Sequence, residues 1–136
     1  MVRPLTVDSF KSITMATVAT LLTLSIIAPS AMAHSKLVKS DPPRRSVITK
    51  APEHVRLWFN EEIEGDYTSL VVLNAEKQPV TEATPHVAQD DPKSVVLPLP
   101  ELAPGKYSVK FRVLSVDGHV IESSFDFTVK GKVQEQ

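Results

Sequence analysis

The run "GKYSVKFRVLS", residues 105–115, limits the fold more than any other stretch of the chain. Tyr107, Val109, Phe111 and Val113 alternate with Ser108, Lys110 and Arg112. In an extended backbone such alternation places the apolar set on one face and the polar set on the other. A helix, with a period of about 3.6, would scatter both sets around its axis. The run therefore predicts a β-strand, and a strand with one apolar face needs a sheet and a second layer to cover it.

Other runs repeat the signal. In "ESSFDFTVK" (122–130) Phe125, Phe127 and Val129 share a face. "HVRLWF" (54–59) sets Val55, Leu57 and Phe59 against Arg56 and Trp58. "TSLVVLN" (68–74) and "KSVVLPL" (93–99) are dense apolar runs, and "SKLVKS" (35–40) alternates weakly. Turn signals separate them: Asp41-Pro42-Pro43, Ala51-Pro52, Glu64-Gly65-Asp66, Gln78-Pro79, Asp90-Asp91-Pro92, Ala103-Pro104-Gly105 and Asp117-Gly118. No convincing amphipathic helix interrupts the series. The pattern predicts an all-β Greek-key sandwich or barrel, with prolines guarding exposed edges. The tail from Gly131 reads as a frayed end.

Residues 1–33 follow a different logic. Arg3 and Lys11 precede a mostly apolar stretch from Ile13 to Ile27, then Pro29 and Ser30, then Ala31-Met32-Ala33. That is the order of a secretory signal peptide with an A-x-A cleavage site. The apolar run is short of the ~20 residues of a membrane span. Cleavage after Ala33 would leave a domain of 103 residues, His34 to Gln136, with a formal charge near −2. There is no strong basic run to suggest nucleic acid or an anionic membrane as partner.

The sulfur inventory narrows the chemistry. The chain has no cysteine, and its three methionines (Met1, Met15 and Met32) all fall in the signal segment. The domain therefore lacks thiolate and thioether, the soft ligands that favour Cu(I). All four histidines, His34, His54, His86 and His119, remain.

Cleavage after Ala33 would make His34 an amino terminus. Such a histidine offers two donors, its α-amine and its Nδ1, which close a six-membered chelate ring on one ion. One further imidazole completes a T-shaped set of three nitrogens, and a carboxylate oxygen makes a plane of four. Tetragonal nitrogen and oxygen coordination points to Cu(II). Amine and imidazole must both be unprotonated, with reference pKa values of about 7.7–8.0 and ~6.5. Binding should weaken as pH falls. The second imidazole has one outstanding candidate, His119 in "SVDGH". Asp117 and His119, two apart, would project to one side of an extended backbone. Asp-Gly is equally a hairpin signal, with His119 a surface residue. Spacing alone leaves both readings open.

Taken in order, "HSKLVKSDPP", "LWFNEEIE", "DPKSVVLPL" and "LAPGKYSVKFRVLSVDGHVIESSFDFTV" resemble the CopC family of bacterial periplasmic copper-binding proteins across essentially all of residues 34–130. The resemblance implies a seven-stranded Greek-key β-sandwich or barrel, Ig-like or cupredoxin-like, with copper at one end. It implies that His34, Asp117 and His119 hold one Cu(II) per chain, with Glu61 of "LWFNEE" beside the site. It implies a monomeric copper carrier or buffer in the periplasm, serving copper homeostasis, resistance or transport. A CopD-type inner-membrane copper transporter or a periplasmic multicopper oxidase would be its partner. Some members also carry a Met-rich loop for Cu(I) at the opposite end. With no methionine after Met32, this chain resembles the Cu(II)-only branch.

The remaining candidates read more plainly. His54 opens a strand and is expected at the surface. His86, in "ATPHVAQDD", is expected in a proline-flanked loop, with Asp90 or Asp91 as the only metal-binding companions in reach. "NEEIEGD" (60–66) lacks the spacing of an EF-hand and reads as a solvated acidic edge. Trp58 is assigned neither to the core nor to the surface. Two functions compete with the copper carrier. One is a histidine-brace copper monooxygenase acting on polysaccharide, disfavoured by small size, few aromatics and the carboxylate occupying oxygen's place. The other is a metal-free Ig-like assembly module.

Overall fold

The computed structural model describes residues 35–131. The expected signal segment, His34 and the end of the tail lie outside the described residues. Eight strands follow one another: β1 (Leu37–Asp41), β2 (Val47–Ile48), β3 (His54–Phe59), β4 (Ser69–Leu73), β5 (His86–Ala88), β6 (Asp91–Pro98), β7 (Gly105–Leu114) and β8 (Val120–Val129). A short 3₁₀ turn, Gly65–Tyr67, is the only helical element among the described residues. The strands form two four-stranded sheets, ordered β1-β3-β6-β5 and β2-β8-β7-β4. The all-β sandwich is thus as expected. The strand count is eight, not the seven expected: all six runs read from the sequence are strands, and the two added to them, β2 and β5, are the shortest and lie at sheet edges.

The alternating runs do what their pattern dictates. Val55, Leu57 and Phe59 of β3 and Val95 and Leu97 of β6 face inward from the first sheet. Tyr107, Val109, Phe111 and Val113 of β7 meet them from the second, with Phe125, Phe127 and Val129 of β8. The Phe59 and Phe111 rings touch edge to face across the sheets, 5.8 Å between centroids. Tyr107 stacks on Phe127 at 5.4 Å. Full burial of each such side chain is worth about 1.5–3 kcal/mol, so this one core can hold the fold without disulfides.

Two details position the functional end. β7 and β8 form one long hairpin, paired from Gly105↔Val129 to Leu114↔Val120, which delivers residues 115–119 to its tip. At the same end β1 carries a register shift between Leu37 and Lys39 opposite β3. The shift leaves Val38 exposed and bends the edge strand, as a bulge does. His54 and Asp41 lie at the opposite end of the sandwich, 3.9 Å apart.

Two expectations need correction. His86 is the first residue of β5, paired with Val96, and not part of a loop. Asp90, a possible companion to His86, instead pairs with Arg56 at 3.2 Å. Trp58 lies on the outer face of the first sheet. Lys39 Nζ is 4.6 Å and Arg56 Cζ 4.9 Å from its ring centroid, a pair of cation–π contacts.

Candidate metal centre

Three segments meet at the hairpin tip. The first is the start of the described chain. Lys36 N donates to Asn60 Oδ1 at 2.7 Å, and Asn60 N donates back to the Lys36 carbonyl at 3.2 Å. The second is residues 60–63, where Ile63 bridges Ser115 and the Glu62 carbonyl accepts from Val116 N at 3.0 Å. The third is the tip itself.

The tip folds as a turn. Gly118 N donates to the Ser115 carbonyl at 2.9 Å, and Ser115 N to the His119 carbonyl at 2.9 Å. Gly118 has φ of 89°, a left-handed value that suits glycine and disfavours a side chain. Asp117 and His119 do point the same way, but the turn brings them together, not strand alternation. The Asp-Gly pair is therefore a hairpin turn with His119 exposed, and that turn juxtaposes the two candidate ligands.

Asp117 Oδ2 stands 3.0 Å from His119 Nδ1, and both side chains remain partly open to solvent. Asp117 Oδ1 faces the other way. It accepts from the Ser115 hydroxyl, and His119 N lies 3.4 Å from it. The Ser35 hydroxyl is 3.5 Å from the same oxygen and 3.3 Å from Ser115 Oγ. The bond from Ser115, then that with His119, holds the Asp117 carboxyl below its ordinary value.

The sequence-derived candidates are distributed as follows. Asp117 and His119 come together. Glu61 lies half-buried in the 60–63 segment beside the tip. His34 lies outside the described residues, but its neighbour Ser35 touches Asp117. His54 and His86 are elsewhere, both exposed. Among the described residues no group of three or more His, Cys, Asp or Glu side chains converges. Ser35 and Ser115 were not singled out from sequence.

Comparison with known proteins places this arrangement. The CopC domain profile matches residues 37–130. The crystal structure of CopC from Methylosinus trichosporium OB3b superposes with a TM-score of 0.69 at 37% identity, covering 76% of this chain and all of that one. Copper resistance protein C of Xanthomonas campestris pv. juglandis is 32% identical over 128 residues, 90% of this chain and 98% of its own length. The structure of PcoC, described as a methionine-rich copper resistance protein from Escherichia coli, matches with a TM-score of 0.62 at 33% identity, over 72% of this chain and all of that one. This is a two-sheet β-sandwich of the copper resistance class. The chain belongs to the CopC family.

Proposed function

We propose that this protein is exported to the periplasm, is cleaved after Ala33, and there binds one Cu(II) as a carrier or buffer, without catalysing a reaction. The ion is cargo, held by the amine and imidazole of His34, the imidazole of His119 and a carboxylate oxygen of Asp117.

The observation that carries the reading is the 3.0 Å separation of Asp117 Oδ2 and His119 Nδ1. Metal bonds of about 2.0 Å meeting at a right angle put adjacent donors roughly 2.8 Å apart. The two atoms hydrogen-bond to each other at this distance, and the same spacing is close to that of two neighbouring corners of a square-planar ion. A nitrogen and an oxygen in that relation suit Cu(II), and residues 34–136 offer no sulfur ligand to favour Cu(I).

Two donors alone do not make a tight site, and the described residues bring no third to the tip. The missing donors are those an amino-terminal histidine supplies. Ser35 touches Asp117, and consecutive Cα atoms are about 3.8 Å apart. The described residues thus begin beside the donor pair. Glu61 belongs to the segment that Glu62 and Ile63 tie to the tip, and its negative charge would favour a cation there. The four donors leave no open position in the plane for a substrate, which supports binding over turnover. Membership of a family with relatives named for copper resistance agrees with this role.

The test is a Cu(II) titration of the exported, processed protein. A one-to-one endpoint with a visible d–d band is expected. One extra residue before His34 converts the amine to an amide and should abolish the tight phase. Full affinity in that extended form would overturn the reading, as would an exported chain whose mass shows a different first residue.

A further inference from the structure

The buried hydroxyl beneath the hairpin tip has no part in the donor set, yet it touches the Asp117 carboxylate, the His119 backbone and Ser35. Ser115 is 1% exposed. Its Oγ donates to Asp117 Oδ1. It lies 3.2 Å from His119 N and 3.3 Å from Ser35 Oγ. A serine hydroxyl has one hydrogen and two lone pairs. The carboxylate is its strongest acceptor, so the hydrogen goes there. The lone pairs are then free to accept from His119 N and from the Ser35 hydroxyl. One oxygen thereby ties together the carboxylate, the backbone of the imidazole ligand and the first described residue of the chain.

We propose that Ser115, acting with Ser35, is the positioning device of the copper site. Ser115 fixes the Asp117 carboxylate with Oδ1 held back and Oδ2 turned to His119. The Ser35 hydroxyl lies against the same two oxygens, on Ser115 and Asp117, sharing its one hydrogen between them, and so seats Ser35 against the loop. This inference rests on the copper reading above and adds a role for two residues that hold no metal. The geometry favours positioning over mere fold maintenance. Ser115 already has its place in the turn through backbone bonds, N to the His119 carbonyl and its own carbonyl to Gly118 N. The side chain is not needed to close the turn. Ser35 lies outside every strand and contributes nothing to the core.

Groups that orient metal ligands typically affect affinity by about 10–100-fold. The experiment compares processed wild type, Ser115→Ala, Ser35→Ala, the double variant and His119→Ala. Each is read by competitive Cu(II) titration, by the copper EPR spectrum and by urea denaturation of the copper-free form. Ser115→Ala should bind Cu(II) at least about 10-fold more weakly, with altered copper hyperfine splitting, while remaining folded. Ser35→Ala should show a smaller loss of the same kind. The double variant should lose less than the sum of the two single losses, because Ser35 acts in part through the hydroxyl already removed.

Wild-type affinity and spectrum in a folded Ser115→Ala protein would overturn the inference, as would fully additive losses in the double variant. Should Ser115→Ala fail to fold, Ser35→Ala decides: an unchanged affinity and spectrum there sinks the proposal. His119→Ala separates the two layers. If it binds Cu(II) like wild type, the donor assignment itself is wrong. If it loses binding while the serine variants do not, only the positioning role fails.

Discussion

Replacing Tyr107 by Phe isolates one hydrogen bond at the end of the sandwich remote from the hairpin tip. Tyr107 is 6% exposed, and its hydroxyl donates to the Ala103 carbonyl at 2.5 Å. The bond pins the Ala103-Pro104-Gly105 turn to the start of β7, in the manner of the tyrosine corner of other β-sandwiches. Phenylalanine keeps the ring, its burial and its stacking on Phe127. Only the hydrogen bond is lost. Ala103 is exposed, so water can satisfy its carbonyl in the variant. The loss should therefore be close to the net value of one bond, about 1 kcal/mol. For a domain of this size that is a fall in Tm of about 4–8 °C. With a urea m-value of about 1–2 kcal/mol/M, the midpoint should drop by about 0.5–1 M. The slope itself should not change.

Alkali adds a second check. Burial, helped by the charge of Glu76, raises the Tyr107 pKa above 10.0. A folded-state pKa above the unfolded one contributes stability below the unfolded value and loses it as pH climbs through the folded one. The gap between wild type and variant should persist through neutral pH and narrow above about pH 10. Copper affinity should be the same in both, since eight residues of extended chain separate Tyr107 from Ser115, roughly 26 Å. An unchanged midpoint at neutral pH, or a changed slope, would refute the assignment of the bond.

Three further outcomes are expected. His119→Ala should lose tight Cu(II) binding, whereas His54→Gln and His86→Gln should retain it within about 2-fold, measured by competition with a chromophoric chelator. Ser108 and then Lys106 hold the Asp126 carboxyl below 3.8, so its contribution is present above the unfolded pKa and disappears as pH falls below it; Asp126→Asn should therefore flatten the acid limb of a urea-midpoint-against-pH curve below about pH 4. Phe127→Ala, at a position 1% exposed, should cost about 3–5 kcal/mol and leave little folded protein at physiological temperature, as followed by far-UV circular dichroism.

The long strands were legible because alternation is a covalent property of an extended chain. The inward sets on β3, β7 and β8 match the sequence reading residue for residue. β2 and β5 were not legible. Two or three residues carry no period, and both strands exist because longer neighbours offer them a ladder. The tip was half legible. Asp117 and His119 could be named from their spacing and the family pattern, but the turn that joins them obeys Gly118 and the Ile63 bridge. Ser115 was invisible as a functional residue because a small polar side chain at a strand end has an ordinary explanation. Its partner Ser35 is 80 positions away, and only folding brings them together. Trp58 was ambiguous for a related reason: its neighbours Lys39 and Arg56 come from two different strands.

Asp117 and His119 lie beyond the terminal rung of the β7–β8 ladder, Leu114↔Val120. Substitutions at those two positions disturb no rung, so the rim can change its chemistry while the scaffold stays constant. Lineages could exchange the side chains there without relearning how to fold. A protein engineer has the same freedom, because segments 35–36, 60–63 and 115–119 meet past the last rung, where a hairpin tip lies next to an edge strand's beginning.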